Sequence, residues 1–324
     1  MTFSAGPYRS SLPTGAIGDL PVAYPRTGKT FWVNNSTVLP DSGIAGSDSN
    51  PGTYLKPFST LDYAVGRCTA GRGDVIYIMP GYTQTMTAAD DVDVDVAGVS
   101  VIGLGRGDKR PTFTYTVAAG EFVIGADQVH IENLKFVPSV TGVTHAIDVE
   151  SGSIDCEIVN CEFSSGVTVG TDEFNAAITV VDTADHGLIQ GCYFDAQAAG
   201  AIYAISLNTP VDWRILDNVI VGVYSTGCIG TITGAGAGVN QMFRNVVVNG
   251  EAGALGTADV FTQSAAGNWM VGSNMFATND ATSFVAMFTN YSKTINMRNM
   301  YTDDSTMVLS ATQISASIAI SADT

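Results

Sequence analysis

The sequence predicts an all-β chain: a right-handed parallel β-helix, a single solenoid of about 28 residues per coil, with a short N-terminal capping helix. Two observations carry this. An Asn or Gly followed by an apolar residue recurs at Gly103, Asn133, Asn160, Gly191, Asn218, Asn245, Asn274 and Asn299, spaced 30, 27, 31, 27, 27, 29 and 25 residues apart. Asn and Gly enter the left-handed backbone region most readily, so each marker predicts a corner at the same place on every lap. Strand alternation surrounds each marker. Two residues before it come Val101, Ile131, Ile158, Ile189, Leu216, Phe243, Gly272 and Met297, apolar apart from Gly272, then a mostly polar column. Immediately after it come Leu104, Leu134, Cys161, Cys192, Val219, Val246, Met275 and Met300. The pattern reads inward, outward, corner, inward.

The elements follow in order. Residues 1–30, with Pro7, Pro13, Pro21 and Pro25, read as an extended arm with little core of its own, expected to dock on another subunit. Residues 31–82 form a capping segment. Within it, 58–70 is the one clear helix: Leu61, Ala64, Val65 and Cys68 make an apolar stripe, and Ser59 or Thr60 supplies the cap. Covering the first lap is its expected role, because an open solenoid end exposes core side chains and an unpaired strand edge. Val75–Met79 is the first buried strand, stopped by Pro80-Gly81.

Residues 83–305 are the solenoid proper. A second strand per lap is expected near 122–124, 146–149, 178–181, 202–207, 229–232, 260–262 and 286–288. Equivalent residues of successive laps then lie about 4.8 Å apart, so like stacks on like, and an Asn column at the bend passes amide hydrogen bonds from lap to lap. Residues 306–324 alternate small polar residues with Val308, Leu309, Ile314, Ile318 and Ile320, and are expected to blunt the other end or pair with another chain. The competing fold is an antiparallel sandwich. It calls for tight Asn-Gly hairpins, and Asn249-Gly250 is the only such dipeptide.

Composition bounds the partners. The chain has 324 residues, 45% hydrophobic and 14% charged, with 35 Gly and a net charge of −17. Such a field repels nucleic acid and anionic lipid, so neither is expected as a partner. The five cysteines are read as buried thiols acting as small hydrophobes, with a Cys161–Cys192 disulfide as the alternative. No basic region followed by an apolar run opens the chain, and no stretch reaches membrane-spanning length. Synthesis and assembly in a cytoplasm are expected.

Gly46-Ser-Asp-Ser-Asn-Pro-Gly-Thr53, Lys56-Pro-Phe-Ser-Thr-Leu61 and Gly73-Asp-Val-Ile-Tyr-Ile-Met-Pro-Gly-Tyr82 resemble the opening of pectate-lyase-like right-handed β-helix proteins. Val96-Ala-Gly-Val-Ser-Val-Ile-Gly-Leu-Gly105 with Arg110-Pro-Thr-Phe113 resembles β-helix proteins of bacteriophage virions in particular. The resemblance covers residues 30–165 and is specific for fold. That superfamily includes lyases, hydrolases, tailspikes and non-catalytic capsid proteins.

Candidate chemistry is sparse. The resemblance implies that a lyase would need Asp-held calcium beside an Arg or Lys base, but the outward column holds only Arg244 and Arg298, without a carboxylate cluster. A hydrolytic tailspike needs two carboxylates about 5–9 Å apart. Asp127, Asp155, Asp185 and Asp212 recur before successive corners, with Asp155 and Asp185 the candidate pair. Asn240 and Asn268 continue the zone, which favours turn capping over catalysis. Asp91, Asp93 and Asp95 face outward on one strand, spaced about 7 Å; they are weak calcium candidates, and a solvated strand face is the simpler reading. Arg72-Gly73-Asp74 and Arg106-Gly107-Asp108 spell an adhesion tripeptide, each where a turn is needed. His130, His145 and His186 share no column with a Ser or Cys nucleophile. No cofactor is expected.

Two residues after each corner, at an expected outward position, come Gly105, Lys135, Glu162, Tyr193, Ile220, Val247, Phe276 and Tyr301. The last five form an apolar stripe about 20 Å long, larger than a monomer leaves wet. A subunit interface is expected there, with the C-terminal tail folding back over the stripe as the alternative. Together with the phage resemblance, this implies a non-enzymatic virion protein: a homotrimer decorating or projecting from the capsid, anchored on the major capsid or another virion protein through residues 1–30. The alternative is a tailspike that binds or hydrolyses host surface polysaccharide.

Overall fold

The computed structural model describes residues 28–35, 45–166, 168, 171–197, 200–209, 211–231, 238–250, 259–263, 268–278, 288–289 and 294–303. For 259, 288–289, 294–296 and 301–303 it describes the backbone alone. The expected arm, apart from residues 28–30, and the tail 306–324 lie outside the described residues.

Three parallel sheets make a right-handed β-helix with about 27 residues per coil. The first sheet has 10 strands and includes Val75–Ile78, His130–Glu132 and Arg214–Leu216. The second has 9, including Thr83–Met86, Lys135–Pro138 and Val246–Asn249; the third has 8, including Val92–Val94, Val143–Val149 and Tyr203–Leu207. Each strand pairs in parallel with the strand one lap away, such as Ile131 with Ile158 and Ile158 with Ile189.

The core is a set of columns, because parallel register places equivalent inward residues directly above one another. In the first sheet Ile76, Val101, Ile131, Ile158, Ile189, Ile215, Met242 and Val271 stack, all fully buried. In the second sheet Phe113, Phe136, Phe163 and Phe194 stack ring on ring, with centroid spacings of 5.6, 5.1 and 4.7 Å. Ile220, Val247 and Phe276 continue that column. Burial contributes about 1.5–3 kcal/mol per large apolar side chain, and there is one such residue per column per lap. The third sheet adds Val92, Phe122, Ile147, Ile178, Ile205, Ile229 and Phe261.

Two features of residues 31–82 differ from the expectation. Thr30–Val33 already belongs to the first sheet, in register with Val75–Ile78. The helix is short, Leu61–Val65, with the Thr60 hydroxyl accepting from the Tyr63 N–H, and Leu61, Ala64 and Val65 buried. It ends at Gly66 because the next amides turn to tighter bonds, Arg67 to the Ala64 carbonyl and Cys68 to that of Val65.

The corner is where the sequence reading needs correction. The left-handed residues are Asn133, Asn160 and Gly191 in the early laps, as expected, but Asp217, Arg244, Ser273 and Arg298 in the later ones. Asn218, Asn245, Asn274 and Asn299 sit one residue past the bend and are buried inside the coil. Gly103 is not a bend either: it ends a strand, and the positive φ falls on Gly105. From Asn133 onward the geometry in, out, bend, in is constant among the described laps; the Asn moves within it. Asn serves two purposes here, tolerating the bend in one half and hydrogen-bonding along the core in the other, so a frame that follows Asn slips by one residue. A slip of one turns every later side chain to the opposite face.

Candidate functional site: an apolar corner and an acidic sheet face

The slip relocates the expected interface. Ile220, Val247 and Phe276 are core residues with no exposure, so they cannot form an outer stripe. Tyr193 does face out, 43% exposed, while the Tyr301 side chain lies outside what is described. Register pairs Tyr193 with Val219, then Val246, Met275 and Met300, and these make the true outward column of the second sheet. Met300 is 50% exposed and the two valines and Met275 are half-buried. Val221 and Val248 stand beside them on the same face. An apolar outer column exists, one residue away from where the markers put it.

A second such flank lies across the bend. Leu216 and Phe243, expected inward, face out from the first sheet, with Met270 and Met297 beyond them. The Phe243 ring lies over Gly272, whose missing Cβ leaves room for it: a Cβ there would come within 2.5 Å of the ring. Between the flanks runs a ridge of bend residues, Asp217, Arg244, Ser273 and Arg298, on which Arg244 grips Asp217 at 2.6 and 2.7 Å. The Arg244 guanidinium holds the Asp217 carboxyl below its usual range. The same outward column in the early laps is polar: Glu162 accepts from Arg110 at 3.0 Å and Lys135 at 2.8 Å.

Of the calcium candidates, Asp91 precedes the strand and caps the turn by accepting the Thr87 and Ala88 N–H groups, the latter at 2.9 Å. Asp95 is exposed and also lies off the strand; Asp93 alone is on it. No three metal-ligating groups converge among the described residues. Asp93 instead meets an acid two laps away that the sequence reading missed. Asp93, Val123 and Asp148 are in register, and Glu150 follows Asp148 by two residues, directly after the end of the same strand. A Cβ on Gly125 would lie 3.2 Å from Asp93 Oδ1 and 3.3 Å from Glu150 Oε2, which leaves the two oxygens at most about 6.5 Å apart. Burial, then the charges of Asp95 and Glu150, push Asp93 up to about 6. Burial likewise raises Asp148, which has His145 at 3.9 Å. Counting two laps along the sequence from Asp93 would have found Asp148; nothing local marks the pair.

The turn zone holds the other candidates. The Asp155 N–H donates to the Asp185 carbonyl at 3.0 Å, so the two do lie on adjacent laps. Asp155 is an exposed left-handed turn residue, and burial raises Asp185, whose Oδ1 has no partner. Their neighbours cap turns: Asp127 accepts the Ile154 N–H at 2.9 Å, Asp212 that of Val239 at 2.7 Å and Asn240 that of Trp213 at 2.9 Å.

His130 does share a column with Ser100, contrary to the sequence reading. Its two ring nitrogens face Glu157 at 2.9 Å and Glu132 at 3.3 Å, and despite burial these carboxylates lift it to about 9. The first adhesion tripeptide is closed, because Asp74 is fully buried and held by Arg72, Lys29 and Thr69. All five cysteines are free, and all but Cys68 are buried. No described helix is long and apolar enough to cross a membrane.

Compared with known proteins, the chain matches no protein-family model and no curated protein. Among solved structures it is similar to a rhamnogalacturonan lyase, at 17% identity and a TM-score of 0.56, over 85% of this chain and 74% of that one. A GH136 lacto-N-biosidase from Eubacterium ramulus overlaps 86% of this chain and 67% of that one, at 9% identity and a TM-score of 0.46. The first likeness agrees with the class the strands define, a right-handed parallel β-helix. At this identity it speaks for the fold alone, and the second is too distant to add to it.

Proposed function

We propose that the chain is a non-enzymatic structural protein of a bacteriophage particle, a three-fold β-helical oligomer that decorates or projects from the capsid. Residues 1–30 anchor it on the major capsid protein or another virion protein, and it is made and assembled in the host cytoplasm. The observation that carries this reading is the outward apolar column Tyr193, Val219, Val246, Met275 and Met300, on a surface that is otherwise polar in the early laps. The resemblance of residues 96–105 and 110–113 to virion β-helix proteins supports the setting. The net charge of −17 keeps a high-copy protein soluble. Deleting residues 1–28 should abolish attachment to particles while leaving a folded solenoid; particles that retain the truncated protein would refute the anchoring role.

A second reading is favoured by one pair of residues. Asp93, raised to about 6 by burial and by the charges of Asp95 and Glu150, faces Glu150 across Gly125 on the outside of the third sheet. That arrangement suits a tailspike that binds or hydrolyses host surface polysaccharide, with Asp155 and Asp185 as the other pair. Reducing-sugar release from a polysaccharide panel tests it. Release lost in Asp93→Asn, or in Asp155→Asn or Asp185→Asn, would overturn the non-enzymatic reading.

A further inference from the structure

The corner carries two apolar flanks, and one contact to a neighbour accounts for only one of them. On the second sheet stand Tyr193, Val219, Val246, Met275 and Met300; on the first, across the ridge, stand Leu216, Phe243, Met270 and Met297. Three of the large apolar residues that the described surface leaves most exposed, Tyr193, Met297 and Met300, are here.

We infer that this corner points at the axis of a closed ring of copies, the first-sheet flank of each subunit packing on the second-sheet flank of the next. The inference rests on the oligomeric reading above and specifies its geometry. Symmetry favours a second copy as the occupant. A strand from the chain's own tail, or from a foreign peptide, covers one flank and leaves the other wet. In a cyclic assembly the contact is head-to-tail, so each subunit must present two different complementary patches, which a corner with two apolar sides supplies. Area points the same way. The second-sheet flank runs over four lap steps, about 19 Å, and the first-sheet flank over three, about 14 Å; each offers a few hundred Å², short of the roughly 800 Å² per partner of a stable pairwise contact. A ring engages both flanks of every copy, so no subunit leaves without breaking two contacts.

The ridge is compatible with that position. Arg244 and Asp217 neutralise one another at its upper end, and Ser273 is uncharged, so only Arg298 brings unpaired charge toward the axis, where water can remain. The polar early laps, held by Arg110, Lys135 and Glu162, lie outside the contact. The ring is therefore formed by the C-terminal half.

The test is stoichiometry by light scattering on the full chain, with far-ultraviolet circular dichroism checking the fold. The wild type should show three times 33.8 kDa. Val246→Asp with Met275→Asp spoils one flank, and Leu216→Asp with Met297→Asp the other; each protein alone should be a monomer. Mixed in equal amounts, the two should form a one-to-one complex of twice the monomer mass and no larger, because only one intact pair of flanks remains. Met300→Arg and Met297→Arg, at already exposed positions, repeat the experiment should a double variant fail to fold. Variants that remain trimeric, or a mixture that stays monomeric, would overturn the inference while leaving the structural role standing. A monomeric wild type would overturn the oligomer as well; if deleting residues 304–324 then made it associate, the chain's own tail would be the occupant.

Discussion

Asn245 Oδ1 accepts two hydrogen bonds from Asn218, one lap earlier: the backbone N–H at 2.9 Å and the side-chain amide at 3.0 Å. Asn245 in turn gives its own N–H and amide to Asn274 Oδ1, at 2.8 and 2.9 Å, and its amide also reaches the Ile215 carbonyl. Asn274 repeats this with Asn299. The ladder thus supplies backbone partners at a bend where the strand ladder is interrupted, in a buried place where an unpaired amide is costly.

Asn245→Ala should therefore destabilise by about 2–4 kcal/mol, because it strands the buried Asn218 N–H and takes one of the two acceptors from the Asn218 amide, which keeps only the Ile189 carbonyl. Asn245→Asp is the sharper probe. A carboxylate accepts as well as Asn does but cannot donate to Ile215 or Asn274, and it would be charged in a buried site. Its deficit should be largest at neutral pH and shrink in acid, as read from urea midpoints at pH 7 and pH 4.

Ser273 occupies the left-handed bend at φ 56° with its side chain exposed. A non-Gly residue pays about 1 kcal/mol there, and a β-branched one more. Ser273→Gly should raise stability by about 0.5–1 kcal/mol, and Ser273→Val should lower it by at least as much. Equal stability of all three in thermal melts would mean that the bend is not strained.

How much of this was legible in sequence follows from what repeats. The lap length and the inward column of the early laps can be read from Ile131, Ile158 and Ile189, because the bend residue there is itself Asn or Gly. Past Gly191 the bend falls on Asp217, Arg244, Ser273 and Arg298, which carry no left-handed signature, and the Asn beside them is the more visible landmark. Following it exchanged Ile220 with Val219 and Val247 with Val246. A strictly polar outer face would have exposed the error at once; the outer face here is apolar, so both frames look acceptable. The Asp93–Asp148–Glu150 group was invisible for another reason: its members are two laps apart, with Val123 between them.

His130 links pH to stability. Its folded value, about 9 against an ordinary 6.5, means that the folded protein holds the proton more tightly. The stabilisation is complete below pH 6.5 and is lost as pH rises through about 9. Glu132, lowered mainly by His130, contributes in the other direction and fails as pH falls through the carboxylate range. His130→Gln should cost about 1–2 kcal/mol at pH 7 and much less at pH 10, flattening the alkaline fall of the melting temperature. An unchanged slope between pH 7 and 10 would show that the pair is solvated and inert.

Asp93 has the opposite sign. Its carboxyl is raised to about 6 from an ordinary 3.8, so the folded state resists its ionisation. Below pH 3.8 it is neutral in both states and costs nothing; above pH 6 it is charged among Asp95, Glu150 and Asp90, and the full penalty applies. Asp93→Asn should then melt at the same temperature as the wild type in acid and about 1–2 °C higher at pH 7.5, a small gain because the side chain is only half-buried. This variant also separates the two functional readings. In a structural protein the acidic face is a liability that the amide relieves at no cost to particle assembly. In a glycan-cleaving tailspike the same change stabilises the fold and abolishes product release, so stability and activity move apart at one residue.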